Sequence, residues 1–213
     1  MAPRSKVEIS GQWAPYYDRL MDVLFLGRYP RFMAQVAARM QVKPGDEILD
    51  LGSGTGRNAA LMGERTGSGG RVVGVDISER MLHRARRRCD GLPQIRFVKR
   101  RIEEPLPFAE EFDAVFISFT LHGFEDRDKR RIIANARQAL RPTGSLWILD
   151  YNEFDLGKMP WPFRWLFRRL ECELATEFLT LDLRQMLTAG GFGRFTSHEF
   201  VYGYVRLLGA RLL

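Results

Sequence analysis

Cysteine is nearly absent: the 213 residues hold two, Cys89 and Cys172, isolated in segments of helical character without metal-ligand spacing. That argues against a disulfide framework or a metal centre, and both read as buried or half-exposed thiols. Histidine is confined to His83, His122 and His198, which narrows the search for a base. No stretch approaches the roughly 18 uninterrupted apolar residues of a membrane span, and the first 30 residues lack the apolar core of a signal peptide. A soluble, cytoplasmic protein is therefore expected. There is no internal repeat, low-complexity tract or linker, and 45% hydrophobic residues is normal for a globular chain, so residues 1–213 read as one domain. Acidic residues are outnumbered, 26 against 33 basic ones, for a net charge of +7. The excess invites nucleic acid or anionic lipid as a partner, but the arginines are scattered along helices, as on an ordinary solvated face.

The apolar pattern alternates between strand and helix. A helix over 11–27, with Tyr16, Leu20, Val23 and Leu24 at helical spacing and Gly27 as its C-cap, and a second from Pro30 to Met40 form an N-terminal helical cap, 1–43. Strands then fall at 47–51, 71–76, 95–99, 112–118 and 145–150, with helices at 57–65, 78–89 and 127–140. Continuous apolar strands separated by helices predict a parallel sheet covered on both faces. Residues 151–180 break the alternation as a helical insertion, and a helix from Asp182 to Ala189 follows. Two apolar runs, 194–201 and 204–212, are too close for a crossover helix and predict an antiparallel hairpin. The fold class is α/β, a Rossmann-like doubly wound sheet of seven mostly parallel strands ending in that hairpin.

The chemistry concentrates after the first strand. Ile48 to Asn58 runs from an apolar strand through Gly52, Gly54 and Gly56 into a helix, and the next strand ends in Asp76. Glycines there let a ligand lie against bare main chain, and an acid at the neighbouring strand end can accept bonds from both ribose hydroxyls. Together they indicate a nucleoside. A dinucleotide fingerprint needs Gly-x-Gly-x-x-Gly, and its last position is Arg57.

Asp50-x-Gly52-x-Gly54-x-Gly56 instead resembles the first motif of the class I S-adenosylmethionine-dependent methyltransferases, and Val72 to Ser78 resembles their acidic second motif. Phe112 to Phe116 is similar to that family's fourth strand, and Leu140 to Leu146 to the turn entering its fifth, so the resemblance covers nearly the whole chain. It implies S-adenosylmethionine as cofactor, released as S-adenosylhomocysteine. The cofactor-side residues it implies are Asp50, Gly52, Ser53, Gly54 and Gly56 around the methionine portion, Asp76 on the ribose and Ile77 on the adenine. Ile102 joins this set, and Ser118 and Phe119 line the sulfonium side. One motif departs: where relatives commonly place an Asp, this chain has Arg101, which cannot accept the adenine amino group's bond. Either a backbone carbonyl or Glu103 does so, or the loop is shifted by a residue or two. Trp13 to Asp22 is similar to the N-terminal Tyr-Asp segment of the ubiquinone and menaquinone biosynthesis C-methyltransferases, which closes over the cofactor. This implies Tyr17, or Tyr16, as a cation–π partner of the sulfonium, with core packing as the alternative.

Methyl transfer asks the protein to align the nucleophile, exclude water and, where needed, take a proton. His122 is the histidine placed past the fourth strand. Asp150 and Tyr151, with Asn152, leave the fifth strand as acceptor-facing candidates, and Glu171 and Glu173 are more remote. Methyltransferases of exocyclic base nitrogens carry an Asn/Asp-Pro-Pro-aromatic motif where this chain has Ser118-Phe119-Thr120-Leu121, which disfavours a nucleic-acid acceptor. In the insertion, Phe163, Leu166, Phe167, Leu170 and Leu174 share one helical face, with Arg164, Arg168 and Glu171 opposite. That face suits an anionic membrane surface reached through 158–174, a lid over a greasy substrate, or the domain's own core. The expected function is methyl transfer to a small hydrophobic acceptor such as a quinone precursor or phospholipid head group. A protein or RNA methyltransferase and a non-catalytic cofactor-binding module are the alternatives.

Overall fold

The structure, a computed structural model, describes residues 27–213; the helix expected at 11–27 and Tyr17 lie outside them, save Gly27. In chain order the elements are α1 (Tyr29–Arg39), β1 (Glu47–Leu51), α2 (Arg57–Thr66), β2 (Arg71–Asp76), α3 (Glu79–Arg88), β3 (Ile95–Lys99) and β4 (Phe112–Ser118). After them come α4 (Asp126–Ala139), β5 (Leu140–Tyr151), α5 (Trp161–Leu170), α6 (Glu173–Phe178), α7 (Leu183–Ala189), β6 (Phe192–Phe200) and β7 (Val205–Leu212). The seven strands form one sheet in the order β3-β2-β1-β4-β5-β7-β6. The first five are parallel, and β7 runs antiparallel to both β5 and β6.

Strand periodicity explains the layers, because successive side chains point to opposite faces. Leu49, Val73, Val115 and Ile148 form one core with Ile132, Ile133 and Ala136 of α4. Their neighbours Ile48, Val72, Phe116 and Leu149 form the other with Met33 and Val36 of α1 and Ala59 and Met62 of α2. A central strand so covered must be apolar throughout, which is why Val72–Val75 reads as an unbroken run. Helix α3 begins at Ser78, whose hydroxyl accepts the Met81 N–H, as an N-cap should.

Three details depart from the expected pattern. Strand β5 starts at Leu140 rather than 145: buried Leu140 pairs with Phe112, and a register shift follows in β4. The hairpin tip, 201–203, is a 3-10 turn in which Val201 and Tyr202 hold φ of 52° and 57°. The insertion holds two helices, broken at Glu171 and Cys172, which are both extended. Phe167 and Leu174 are buried there with Leu156, Met159 and Leu179, but Phe163, expected on the same face, is 63% exposed. Both cysteines are buried free thiols. Among the described residues no helix is long and apolar enough to cross a membrane.

Candidate functional site

Strand order reverses between β1 and β4, each flanked by a parallel neighbour on its other side, and in an open α/β sheet ligands bind outside the carboxyl ends of the strands at such a reversal. There the chain leaves β1 through Gly52, Gly54 and Gly56, with φ of 80°, 52° and 73°, values that side chains other than glycine's rarely allow. At Gly52 the fit is also steric: a Cβ would stand 2.5 Å from the Thr120 Oγ1. The glycine turn and the turn after β4 thus touch.

Asp76, at the end of β2, fastens the loop. Its Oδ2 accepts the Gly54 N–H and its Oδ1 the Ser78 N–H, both at 2.8 Å. Burial raises its pKa, and those backbone donors hold it back. Asp50 has no such support. It is fully buried, neither carboxylate oxygen has a hydrogen-bond partner among the described residues, and the Ser53 hydroxyl is likewise unpartnered. Burial, with repulsion from Asp76, pushes the Asp50 carboxyl up to about 7. A buried acceptor of this kind calls for an external cation or donor.

Strand β4 ends at Ser118, whose hydroxyl accepts the Asn58 Nδ2–H at 2.8 Å, while the Asn58 Oδ1 accepts the Tyr29 hydroxyl at 3.2 Å. Phe119 follows at φ 45°, an uncommon left-handed conformation of the kind found at functional turns. His122 then meets the end of β5. Its Nδ1 lies 2.7 Å from the Asp150 Oδ1, its backbone N–H donates to the Asp150 Oδ2 at 3.2 Å, and its Nε2 is 3.5 Å from the Glu171 Oε2. The Tyr151 hydroxyl donates to the other Glu171 oxygen at 2.7 Å. Burial works against a charged imidazole, but the two carboxylates outweigh it and lift His122 to about 10. At neutral pH it is a cation that donates from both nitrogens. Its ring centroid lies 5.0 Å from that of Tyr151 and 6.4 Å from that of Phe178, and Tyr151 stands 6.2 Å from Phe119 and 5.0 Å from Phe167. These rings form an aromatic wall beside the polar network.

The structure therefore brings together Asp50, Gly52, Ser53, Gly54, Gly56 and Asp76, and next to them Ser118, Phe119, His122, Asp150 and Tyr151. Ile77 is half-buried just past β2. Ile102 has its side chain buried in the core on the α4 face, and its carbonyl accepts the Asn135 side-chain amide. Glu103 is engaged by Arg101. Sequence reasoning missed Asn58 and Tyr29 and ranked Glu171 as remote. Asn58 was the findable one, since it opens the helix two residues after the last glycine. No group of three or more metal-ligating side chains occurs among the described residues.

Residues 48–144 match the model of a methyltransferase domain family. The 2-phytyl-1,4-naphthoquinone methyltransferase of Trichormus variabilis is 34% identical over 65% of this chain and 61% of its own length. The ubiquinone/menaquinone biosynthesis C-methyltransferase of Stenotrophomonas maltophilia is 35% identical over 72% of this chain and 62% of its own. The chain thus spans about six-tenths of the curated relatives it matches. A solved SAM-dependent methyltransferase from Aquifex aeolicus shares the fold, with a TM-score of 0.63 at 22% identity over 85% of this chain and 89% of that one.

Proposed function

We propose that the chain is a class I S-adenosylmethionine-dependent methyltransferase and that it methylates a quinone-type acceptor, as its relatives' names suggest. The observation that carries this reading is the pairing of an orphaned buried carboxylate, Asp50, with the charged, ring-flanked network around His122 one strand away.

The residues present fit S-adenosylmethionine. Asp50 offers two unpartnered oxygens to an ammonium group, and the bare backbone at Gly52 and Gly54 admits a ligand where side chains would collide. Asp76 receives the backbone N–H groups of Gly54, Ile77 and Ser78 and still has acceptor capacity for a ribose diol. Bound there, the cofactor would supply a methyl carbon on a sulfonium, open to in-line displacement. The chain's own work lies on the acceptor side. His122, kept cationic by Asp150, can hold a ring oxygen of a quinol as its anion by turning its Nε2–H from the Glu171 Oε2 to that oxygen, which makes the adjacent ring carbon nucleophilic and frees the carboxylate oxygen. Glu171 is the carboxylate placed to take a proton at Oε2, with the Tyr151 hydroxyl fixing its other oxygen. Phe119, Tyr151, Phe167 and Phe178 give a planar acceptor apolar surface and keep water from the reacting atoms.

Incubation with labelled S-adenosylmethionine and reduced naphthoquinone or benzoquinone acceptors tests the reading. Label should enter the organic phase on a ring carbon, and His122→Gln should lower kcat without changing cofactor affinity measured by calorimetry. Label entering only protein or RNA, or no cofactor affinity at all, would overturn it.

A further inference from the structure

We infer that α5 and the hairpin tip form a docking surface for an anionic lipid bilayer, set at the acceptor end of the site. Among the described residues, Trp161 is 73% exposed, Phe163 and Trp165 are each 63% exposed, and Tyr202 at the tip is fully exposed. A stable soluble surface seldom gathers large aromatics in this way without a partner.

Charge chooses the partner. From Leu156 to Leu170 the chain has no acidic residue and four basic ones, Lys158, Arg164, Arg168 and Arg169. Lys158, Arg168 and Arg169 are exposed, while Arg164 donates to the Gly157 carbonyl. Helical spacing stacks Trp161 and Trp165 one turn apart, with Arg168 and Arg169 on the next turn of the same stripe. Phe163 stands a turn before the buried Phe167 and extends that apolar face past the domain's edge. Tryptophan with arginine is the composition of a helix lying in the headgroup layer.

Position ties the surface to the site. Tyr151 of β5 pairs with Val205 of β7, so the hairpin tip stands at the carboxyl end of the parallel strands. The Tyr204 ring lies 4.9 Å from that of Phe154, itself 6.5 Å from Phe167, which is 5.0 Å from Tyr151. Only a short chain of rings separates the exposed face from His122. Val201, a β-branched residue at φ 52°, holds the tip in a conformation that costs energy. The surface stands on exposure and charge alone; its purpose, admitting a bilayer-borne acceptor, rests on the methyl-transfer reading.

Co-sedimentation of the full chain with vesicles of phosphatidylcholine, alone or with one-third phosphatidylglycerol, tests it. The chain should bind the anionic vesicles and release at high salt, and brominated lipid should quench the tryptophans. W161S/F163S/W165S should lower the partition coefficient tenfold or more, and R168Q/R169Q by roughly fivefold per charge at low salt. Both variants should keep the wild-type melting curve and methylate a water-soluble short-chain quinol at the wild-type rate. Equal binding to neutral vesicles, no binding, or an aromatic variant that binds like wild type would overturn the proposal. So would a solution dimer that the aromatic variant abolishes, which would give the face to a second copy. If vesicles bind as expected but no quinol is methylated, docking stands and the methyl-transfer reading fails.

Discussion

Asp150→Asn removes the charge that fixes the state of His122 while preserving side-chain size. Burial alone would lower the imidazole's pKa; Asp150, with Glu171, reverses that and lifts it from 6.5 to about 10. Because the folded value exceeds the unfolded one, protonation of His122 adds stability, present in full below about pH 6.5 and lost as pH rises through about 10. At 1.36 kcal/mol per unit the whole shift bounds the contribution at about 5 kcal/mol. Glu171 remains in the variant and asparagine still offers an acceptor oxygen, so a loss of about 3 kcal/mol is expected near neutrality. Denaturant unfolding of both proteins between pH 6 and 10.5 should show that gap at the acid end and its near disappearance at the alkaline end. Proton NMR should show His122, assigned by comparison with His122→Gln, still charged at pH 8 in the wild type and titrating about two units lower in the variant. A wild-type His122 that titrates near 6.5, or a stability gap that does not change with pH, refutes the reasoning.

Asp50→Asn should act in the opposite sense. The native carboxyl keeps its proton up to about pH 7, so stability falls as pH rises from about 4 to 7; the variant should melt like wild type at pH 4, be about 2 kcal/mol more stable at pH 8, and lose cofactor affinity in calorimetry. Gly52→Ala places a methyl group 2.5 Å from the Thr120 Oγ1 at φ +80°; a destabilisation of about 2–3 kcal/mol and lost cofactor binding are expected, and an unchanged melting curve would contradict the geometry. Phe167→Ala should cost about 3 kcal/mol by opening a cavity under α5 and raise KM for the acceptor while cofactor affinity holds, since Phe167 stands 5.0 Å from Tyr151 and not against the glycine loop. Equal weakening of cofactor and acceptor binding would place Phe167 elsewhere in the mechanism.

What the sequence made legible was local or periodic. Val72–Val75 announces a strand buried on both faces, and Gly52 and Asp76 announce a bare turn and a strand-end acid, because backbone conformation and face alternation act within a few residues. The Asn58–Ser118 hydrogen bond spans 60 positions and Asn135 reaches back to Ile102 across 33; neither can be read without the fold. That the loop turns the Ile102 side chain into the core is likewise set by the fold, past a motif that departs at Arg101. The insertion failed for a different reason. A single helical period was carried from Phe163 to Leu174, but the backbone is extended at Glu171 and Cys172, and that break resets the phase. Leu174 is therefore buried through a second helix, and Phe163 is left overhanging. The same break frees Glu171 from the helix surface at its C-terminal cap, from which its carboxylate reaches Tyr151 and His122. In an unbroken helix Glu171 would stand one turn beyond Phe167 on the same side; ending the helix there leaves its carboxylate at the cap, where it joins the polar network with Tyr151 and His122.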